Sequence, residues 1–306
     1  MIRPRALRPG DRVAIVSPAS PFAREELDAG AAELRALGYE PVYEPTIFEQ
    51  QHFSSGSPAV RADAFRRAWT DPGIAAIVAV RGGYGSVQML PLLADWQPQR
   101  TPKIFVGYSD TTSILSWLTC QCGLAAIHGP MLERRLSRGA DGYDRRSFSA
   151  LIEGRGAGLE MTPAGLRVMK AGEASGPLFG GTITQLAGSL GTPFAFSPPA
   201  GSVLFLEDVN ERPYRVDRML TQLRQSGLFE KASAIVFGEM EGCQQDGGPT
   251  MDDVIRTAVE DFSGPVLSGF PSGHTKGPTW TLPLGVSVRV RGTSAPAVIV
   301  EESPVE

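Results

Sequence analysis

Three kinds of residue in this chain invite nucleophilic chemistry: a serine on a turn, a few histidines, and carboxylates at the ends of apolar runs. The serine is Ser109, in Lys103-Ile104-Phe105-Val106-Gly107-Tyr108-Ser109-Asp110-Thr111-Thr112. The run before it, rich in β-branched and aromatic residues, reads as a buried strand that Gly107 breaks. From 111 to 119 the pattern becomes that of a buried helix. A serine on such a turn is carried above the carboxyl edge of a sheet. The helix N-terminus beneath it offers unpaired N–H groups and a positive partial charge, which is what a tetrahedral oxyanion requires. The spacing has the outline of the Gly-x-Ser-x-Gly nucleophile elbow, with Thr111 in place of the second glycine. The competing reading is that Ser109 or Asp110 only caps the helix.

A nucleophilic serine needs a base, and the base needs an orienting group. The chain has 3 histidines. His52 lies in a polar loop, where a surface role is the simpler reading. His128, in Ile127-His128-Gly129-Pro130, ends a strand and is a candidate to line the cleft or bind substrate. His274 lies in Phe270-Pro271-Ser272-Gly273-His274-Thr275-Lys276-Gly277-Pro278, an irregular loop suited to reaching another part of the molecule. Among carboxylates, Glu207 at the mouth of Leu204-Phe205-Leu206 must be solvated, paired or used. Asp208 and Glu211 rival it, and an ion pair from Glu207 to Arg212, Arg215 or Arg218 is the structural alternative. The order Ser109, Glu207, His274 is one that such triads adopt.

Arg81-Gly82-Gly83-Tyr84-Gly85 follows an apolar strand. It lacks a Walker lysine and the dinucleotide fingerprint, so phosphate binding has little support. It is suited to bringing a backbone N–H beside that of Asp110, completing an oxyanion hole, or it is only a tight turn that glycine permits. Cys120-Gln121-Cys122 has neither the spacing nor the second pair of a zinc site, and buried thiols are expected there. No metal cluster or cofactor motif is legible, which leaves serine hydrolysis as the leading chemistry.

These residues must be held by a core. The 306 residues, 42% hydrophobic and 20% charged, describe a globular chain with room for two domains. A net charge of -4 and a pI near 5.6 give no support to nucleic-acid or anionic-membrane partners. The pairs Arg134-Arg135 and Arg145-Arg146 read as solvated helix faces. An odd cysteine count of 3, no signal-like leader and no long apolar run point to a reducing, cytoplasmic setting.

Strands are expected at 12–16, 41–43, 74–80, 104–107 and 124–127, with helices between them. That alternation predicts a parallel sheet covered on both faces, with ligands outside the strands' carboxyl ends. The glycine- and proline-rich stretch after Glu153 suggests a nucleophile-bearing domain at 1–160, a linker at 161–175 and a second domain at 176–306. In that second part Gly180-Gly181-Thr182 reads as opening a helical stretch. Strands are expected at 203–206, 234–237, 266–267, 286–290 and 297–300, and a helix starts at Pro213.

Taken together, the motifs resemble the LD-carboxypeptidases, serine peptidases of muropeptide recycling that include microcin C immunity peptidases. The resemblance runs through Leu7-Arg8-Pro9-Gly10-Asp11, the glycine loop, Gly107-Tyr108-Ser109-Asp110, Leu206-Glu207-Asp208, the run from Pro213 to Leu220, and Gly273-His274. It implies an α/β fold, with a flavodoxin-like N-terminal domain similar to class I glutamine amidotransferases and a smaller swivelling β/α domain. It implies Ser109 as nucleophile, His274 as base and Glu207 as its partner. The oxyanion hole would come from Asp110 and the glycine loop at Gly82 and Gly83. It also implies a homodimer, no cofactor, and a small peptide substrate that loses a terminal D-amino acid. Where the family often carries Gly-Gly-Asn, this chain has Gly180-Gly181-Thr182, so a threonine replaces an amide expected to line the substrate.

Overall fold

The computed structural model describes residues 1–306, which build two mixed sheets with helices against them. The first sheet takes β1 (Arg12–Val16), β2 (Glu40–Val42), β3 (Ile74–Ala79), β4 (Ile104–Gly107) and β5 (Ala126–His128), all mutually parallel. β3 and β4 are buried along their whole length, as expected of central parallel strands covered on both faces. Helices Arg24–Ala36 and Pro58–Thr70 supply the crossovers, each burying a stripe such as Leu27, Ala31 and Leu34.

The second sheet contains β6 (Glu160–Met161), β7 (Arg167–Lys170), β8 (Gly172–Thr182), β9 (Ser202–Glu207), β10 (Ala232–Gly238) and β11 (Val266–Phe270). β12 (Leu282–Leu284) leaves it to pair antiparallel with β5, putting a late segment of the chain on the edge of the first sheet. β13 (Ser287–Gly292) and β14 (Ala297–Val300) complete the second sheet, in the order β6-β14-β13-β8-β9-β10-β11-β7. Residues 161–175, expected as a linker, form β7 and parts of β6 and β8.

β8 also corrects the helical reading of Gly180-Gly181-Thr182. These residues end a strand, and the helix begins only at Ile183. Pairing decides the matter: Leu178 to Thr182 lie in parallel register with Val203 to Glu207, so a ladder overrides a weak local preference. That register sets Thr182 directly beside Glu207.

β9 is buried on both faces, and its side chains alternate between two apolar clusters. Val203 and Phe205 face the core shared with the first sheet. Leu204 and Leu206 face the helices Ile183–Ser189, Pro213–Gln225 and Met251–Ala258. One apolar cluster therefore runs unbroken from β1 to β14. No helix is long and apolar enough to cross a membrane.

Candidate active site

β4 ends at Gly107 and the chain swings at Tyr108 into a 3-10 turn, Ser109–Thr111. A short α-helix, Thr112–Ser116, and a wider turn, Trp117–Gln121, follow. Ser109 takes φ 62°, a left-handed conformation that costs a non-glycine residue about 1–2 kcal/mol. No side chain caps this helix start, so the capping reading does not hold. The Asp110 carboxylate points elsewhere: it accepts from Ser86 N at 2.8 Å and from Gln185 Nε2 at 3.3 Å. Burial raises its pKa against the pull of the Ser86 bonds and the Arg61 charge.

The glycine loop lies against this turn. A Cβ added at Gly82 would stand 2.8 Å from Ser109 Cβ, 2.9 Å from its Oγ and 3.3 Å from Asp110 N. Only a residue without a side chain lets the hydroxyl and that amide share the corner. Gly83 rests on Ser20, whose hydroxyl accepts from Tyr84 N at 3.0 Å and donates to the Phe53 carbonyl at 2.9 Å. Arg61, 3% exposed, ties the loop down from below. Its guanidinium donates to the Pro18 carbonyl at 2.6 Å, the Gly85 carbonyl at 2.7 Å and Gln88 Oε1 at 2.7 Å.

Glu207, at the end of β9, is fully buried and has no arginine partner, so the ion-pair alternative fails. Its Oε2 accepts two bonds from His274, one from Nδ1 at 2.8 Å and one from the backbone N–H at 3.0 Å. Its Oε1 accepts from the Thr182 hydroxyl. Burial works to raise the Glu207 pKa, yet the charge and hydrogen bond of His274, with Thr182 behind them, carry it below the ordinary carboxylate value. Burial likewise works to lower the His274 pKa, and the Glu207 carboxylate outweighs it, so the imidazole ends above its ordinary value. An ionised Glu207 only accepts, which places the proton on His274 Nδ1 and leaves Nε2 as the basic nitrogen.

Gly273 lets the carboxylate and this loop meet. A Cβ there would lie 2.8 Å from Glu207 Cδ and 3.1 Å from His128 Cε1. The rival carboxylates are occupied elsewhere. Asp208 accepts from Thr184 N and Oγ1 at the start of helix Ile183–Ser189, and Glu211 pairs with Arg215 at 3.4 Å.

His274 and Glu207 are thus joined. The serine–imidazole hydrogen bond is not made, and Tyr108, the residue before Ser109, packs edge-on to His274 with ring centroids 5.2 Å apart. Catalytic hydrogen bonds in unliganded sites often tighten only with substrate. His128 is buried beside them and donates from Nδ1 to Ser272 Oγ at 3.0 Å, because the Ser272 hydroxyl is spent on the Trp280 carbonyl at 2.8 Å. Burial pushes its pKa down to about 4, so it is neutral near neutral pH. His52 is exposed on a loop beside Phe53, as expected. Cys120 and Cys122 are half-buried rather than buried, and burial raises both thiols, Cys122 to about 12, so neither is a thiolate nucleophile.

This geometry falls within a family pattern that covers most of the chain. Residues 13–129 match the profile of the LD-carboxypeptidase N-terminal domain, and residues 175–290 match that of the C-terminal domain. A murein tetrapeptide carboxypeptidase of Pseudomonas aeruginosa is 31% identical over 86% of this chain and 88% of its own length. The chain belongs to the LD-carboxypeptidase family. Among solved structures similar to this LD-carboxypeptidase family member is a muramoyltetrapeptide carboxypeptidase from Oxalobacter formigenes. It is 28% identical, with a TM-score of 0.80 over 94% of this chain and 97% of that one. The microcin C7 self-immunity protein MccF, in complex with aspartyl sulfamoyl adenosine, is 25% identical with a TM-score of 0.89 over the full length of both chains.

Sequence reasoning missed two residues of this family member's site and the role of a third. Thr182, expected at a substrate-lining position, instead donates to Glu207, a contact hidden by the helical reading of its segment. Arg61 lies on the buried stripe of its helix, four residues before Phe65, and a charge at such a position is itself a signal. Arg135 corrects the reading of Arg134-Arg135 as a solvated face: Arg134 is exposed, whereas Arg135 is buried and bonded to the His274 loop.

Proposed function

We propose that this protein is a metal-free serine carboxypeptidase that cleaves an L,D-peptide bond and releases D-alanine from murein tetrapeptide. Ser109 is the nucleophile, His274 its general base and then acid, and Glu207 the group that orients the imidazole. His274 Nε2 takes the Ser109 proton as the hydroxyl attacks the carbonyl of the L-residue. The N–H groups of Asp110 and the Gly82–Gly83 loop hold the oxyanion. The imidazolium protonates the leaving amine, and water then resolves the acyl-enzyme by the reverse path. The observation that carries this reading is the buried Glu207 carboxylate accepting two bonds from His274 on one oxygen, with Tyr108, the residue before a serine held at positive φ, packed edge-on to the imidazole.

The same reading includes an N-terminal flavodoxin-like unit at 1–160, a second, swivelling unit at 176–306, a homodimer and a cytoplasmic setting.

Mass spectrometry of L-Ala-γ-D-Glu-meso-diaminopimelate-D-Ala after incubation tests the proposal. The expected product lacks one alanine, and Ser109→Ala leaves the tetrapeptide intact. Release of alanine by Ser109→Ala, or none by the native protein, would overturn it. A second reading, cleavage of a peptidyl aminoacyl-nucleotide, is supported by the full-length likeness to MccF. A sulfamoyl-adenosine conjugate in the same assay separates the two substrates.

A further inference from the structure

Arg135 is buried, at 8% exposed, and none of its hydrogen bonds goes to a carboxylate. A guanidinium withdrawn from water without a counter-ion must recover its solvation from other groups. Here it recovers most of it from one loop. Nη2 donates to the carbonyls of Gly273 at 2.9 Å and Thr275 at 3.0 Å, the residues on either side of His274. Nη1 donates to the Gly277 carbonyl at 3.1 Å and reaches that of Gly142 at 3.5 Å. Nε points to Tyr108 Oη at 3.3 Å.

The segment from Pro271 to Thr281 has no helix or strand of its own, and prolines and glycines bracket it. Its backbone direction at His274 is therefore set by its hydrogen bonds: the N–H groups of Gly273, His274 and Lys276 donate to Thr279, Glu207 and Glu239, and its carbonyls end on Arg135. The carbonyls of the residues before and after His274 both end on Nη2 of one planar guanidinium fork, whose other nitrogens reach Gly277, Gly142 and Tyr108 in a fixed spread. The fork's remaining arm reaches Tyr108, next to Ser109 in sequence and edge-on to His274 in space.

We propose that Arg135 is a positioning residue of the reaction, holding the His274 imidazole at the Ser109 turn by clamping the carbonyls on both sides of it. This rests on the assignment of His274 as base. Five groups face that imidazole: the Glu207 and Asp208 carboxylates, the Arg135 cation, neutral His128 and the Tyr108 phenol. The two carboxylates favour the imidazolium and Arg135 opposes it. Removing the cation therefore raises the pKa of His274.

Kinetics of Arg135→Lys and Arg135→Met on the tetrapeptide, each across pH, test the clamp. An ammonium keeps the charge but, as one nitrogen on a shorter stem, cannot hold the Gly273 and Thr275 carbonyls together with Gly277 and Tyr108. Arg135→Lys is expected to lose about 10- to 100-fold in kcat, with KM changed less than about 3-fold and the acid limb of kcat/KM in place. Arg135→Met is expected to lose as much in kcat and to shift that limb to higher pH. Native kcat in Arg135→Lys, or a loss confined to KM, would overturn the proposal, as would an unshifted limb in Arg135→Met. Should Arg135→Met fail to fold, the kcat and KM of Arg135→Lys decide alone. His274→Ala runs alongside: full activity there rejects the base assignment, whereas an inactive His274→Ala beside a native-like Arg135→Lys rejects only the clamp.

Discussion

The two halves of the site are built by different means. The Ser109 corner is shaped by backbone, with the Arg61 and Asp110 side chains bracing it from behind. Strand, turn and helix are contiguous from Ile104 to Ser116, and Gly82 gives the hydroxyl room. The Glu207–His274 corner is made of side chains drawn from β8, β9 and a loop, with Glu207 and His274 67 positions apart in sequence. A corner fixed by backbone survives loss of its side chain. A corner fixed by side-chain bonds fails when one bond is removed, because the freed polar group stays buried.

The sharpest way to break this contrast is Ser109→Gly. Turnover is expected to vanish, a loss of about 10⁴-fold or more, while relief of the left-handed strain raises stability by roughly 0.5–1 kcal/mol. A destabilised variant in urea melts would mean that the turn depends on the serine side chain after all. On the other corner, Glu207→Gln is expected to lower kcat about 10³- to 10⁴-fold, since an amide no longer enforces the Nδ1–H tautomer. Unlike the serine variant, it should also lose stability. A loss under 10-fold would remove Glu207 from the mechanism.

Thr182→Val is expected to be milder. It deletes one bond to Glu207 Oε1 and should cost about 1–3 kcal/mol of stability with a rate loss near 10-fold. Equal stability of Thr182→Val and the native protein would show that the Oε1 lone pairs find another donor.

The smallest effects are those of pH. As the proposed base, His274 must be neutral, and its pKa is raised, so kcat/KM should climb with pH through a midpoint above 6.5. Its linkage to stability runs the other way. The contribution of a raised group is fully present below the unfolded value of 6.5 and is lost as pH rises through the folded one. His128, depressed to about 4, contributes stability that is lost as pH falls from 6.5 toward 4. The two histidines together thus favour a thermal midpoint highest near pH 6.5. His128→Gln should flatten the acid side only. An unchanged acid slope in that variant would show that other groups dominate it.

Much of this was legible beforehand. The strand before Ser109, the glycine loop, Glu207 at a strand end and the loop around His274 are local patterns, and the structure places each about where the sequence does. The errors share one cause. Gly180-Gly181-Thr182 looked helical because its strand character comes from pairing with β9. Arg135 looked solvated because its five acceptors lie in residues 108, 142, 273, 275 and 277, four of them backbone carbonyls that carry no side-chain signal.

By itself, then, the sequence determined most of the first sheet's elements, the turn that carries Ser109 and the chemical types available, since periodicity, glycine and proline act within a few residues. Only the tertiary structure decided that Thr182 and His274 close on Glu207, and that Arg135 grips the loop of His274. Those choices depend on strand register and on which buried donor meets which acceptor. Neither is encoded by the neighbours of any one residue.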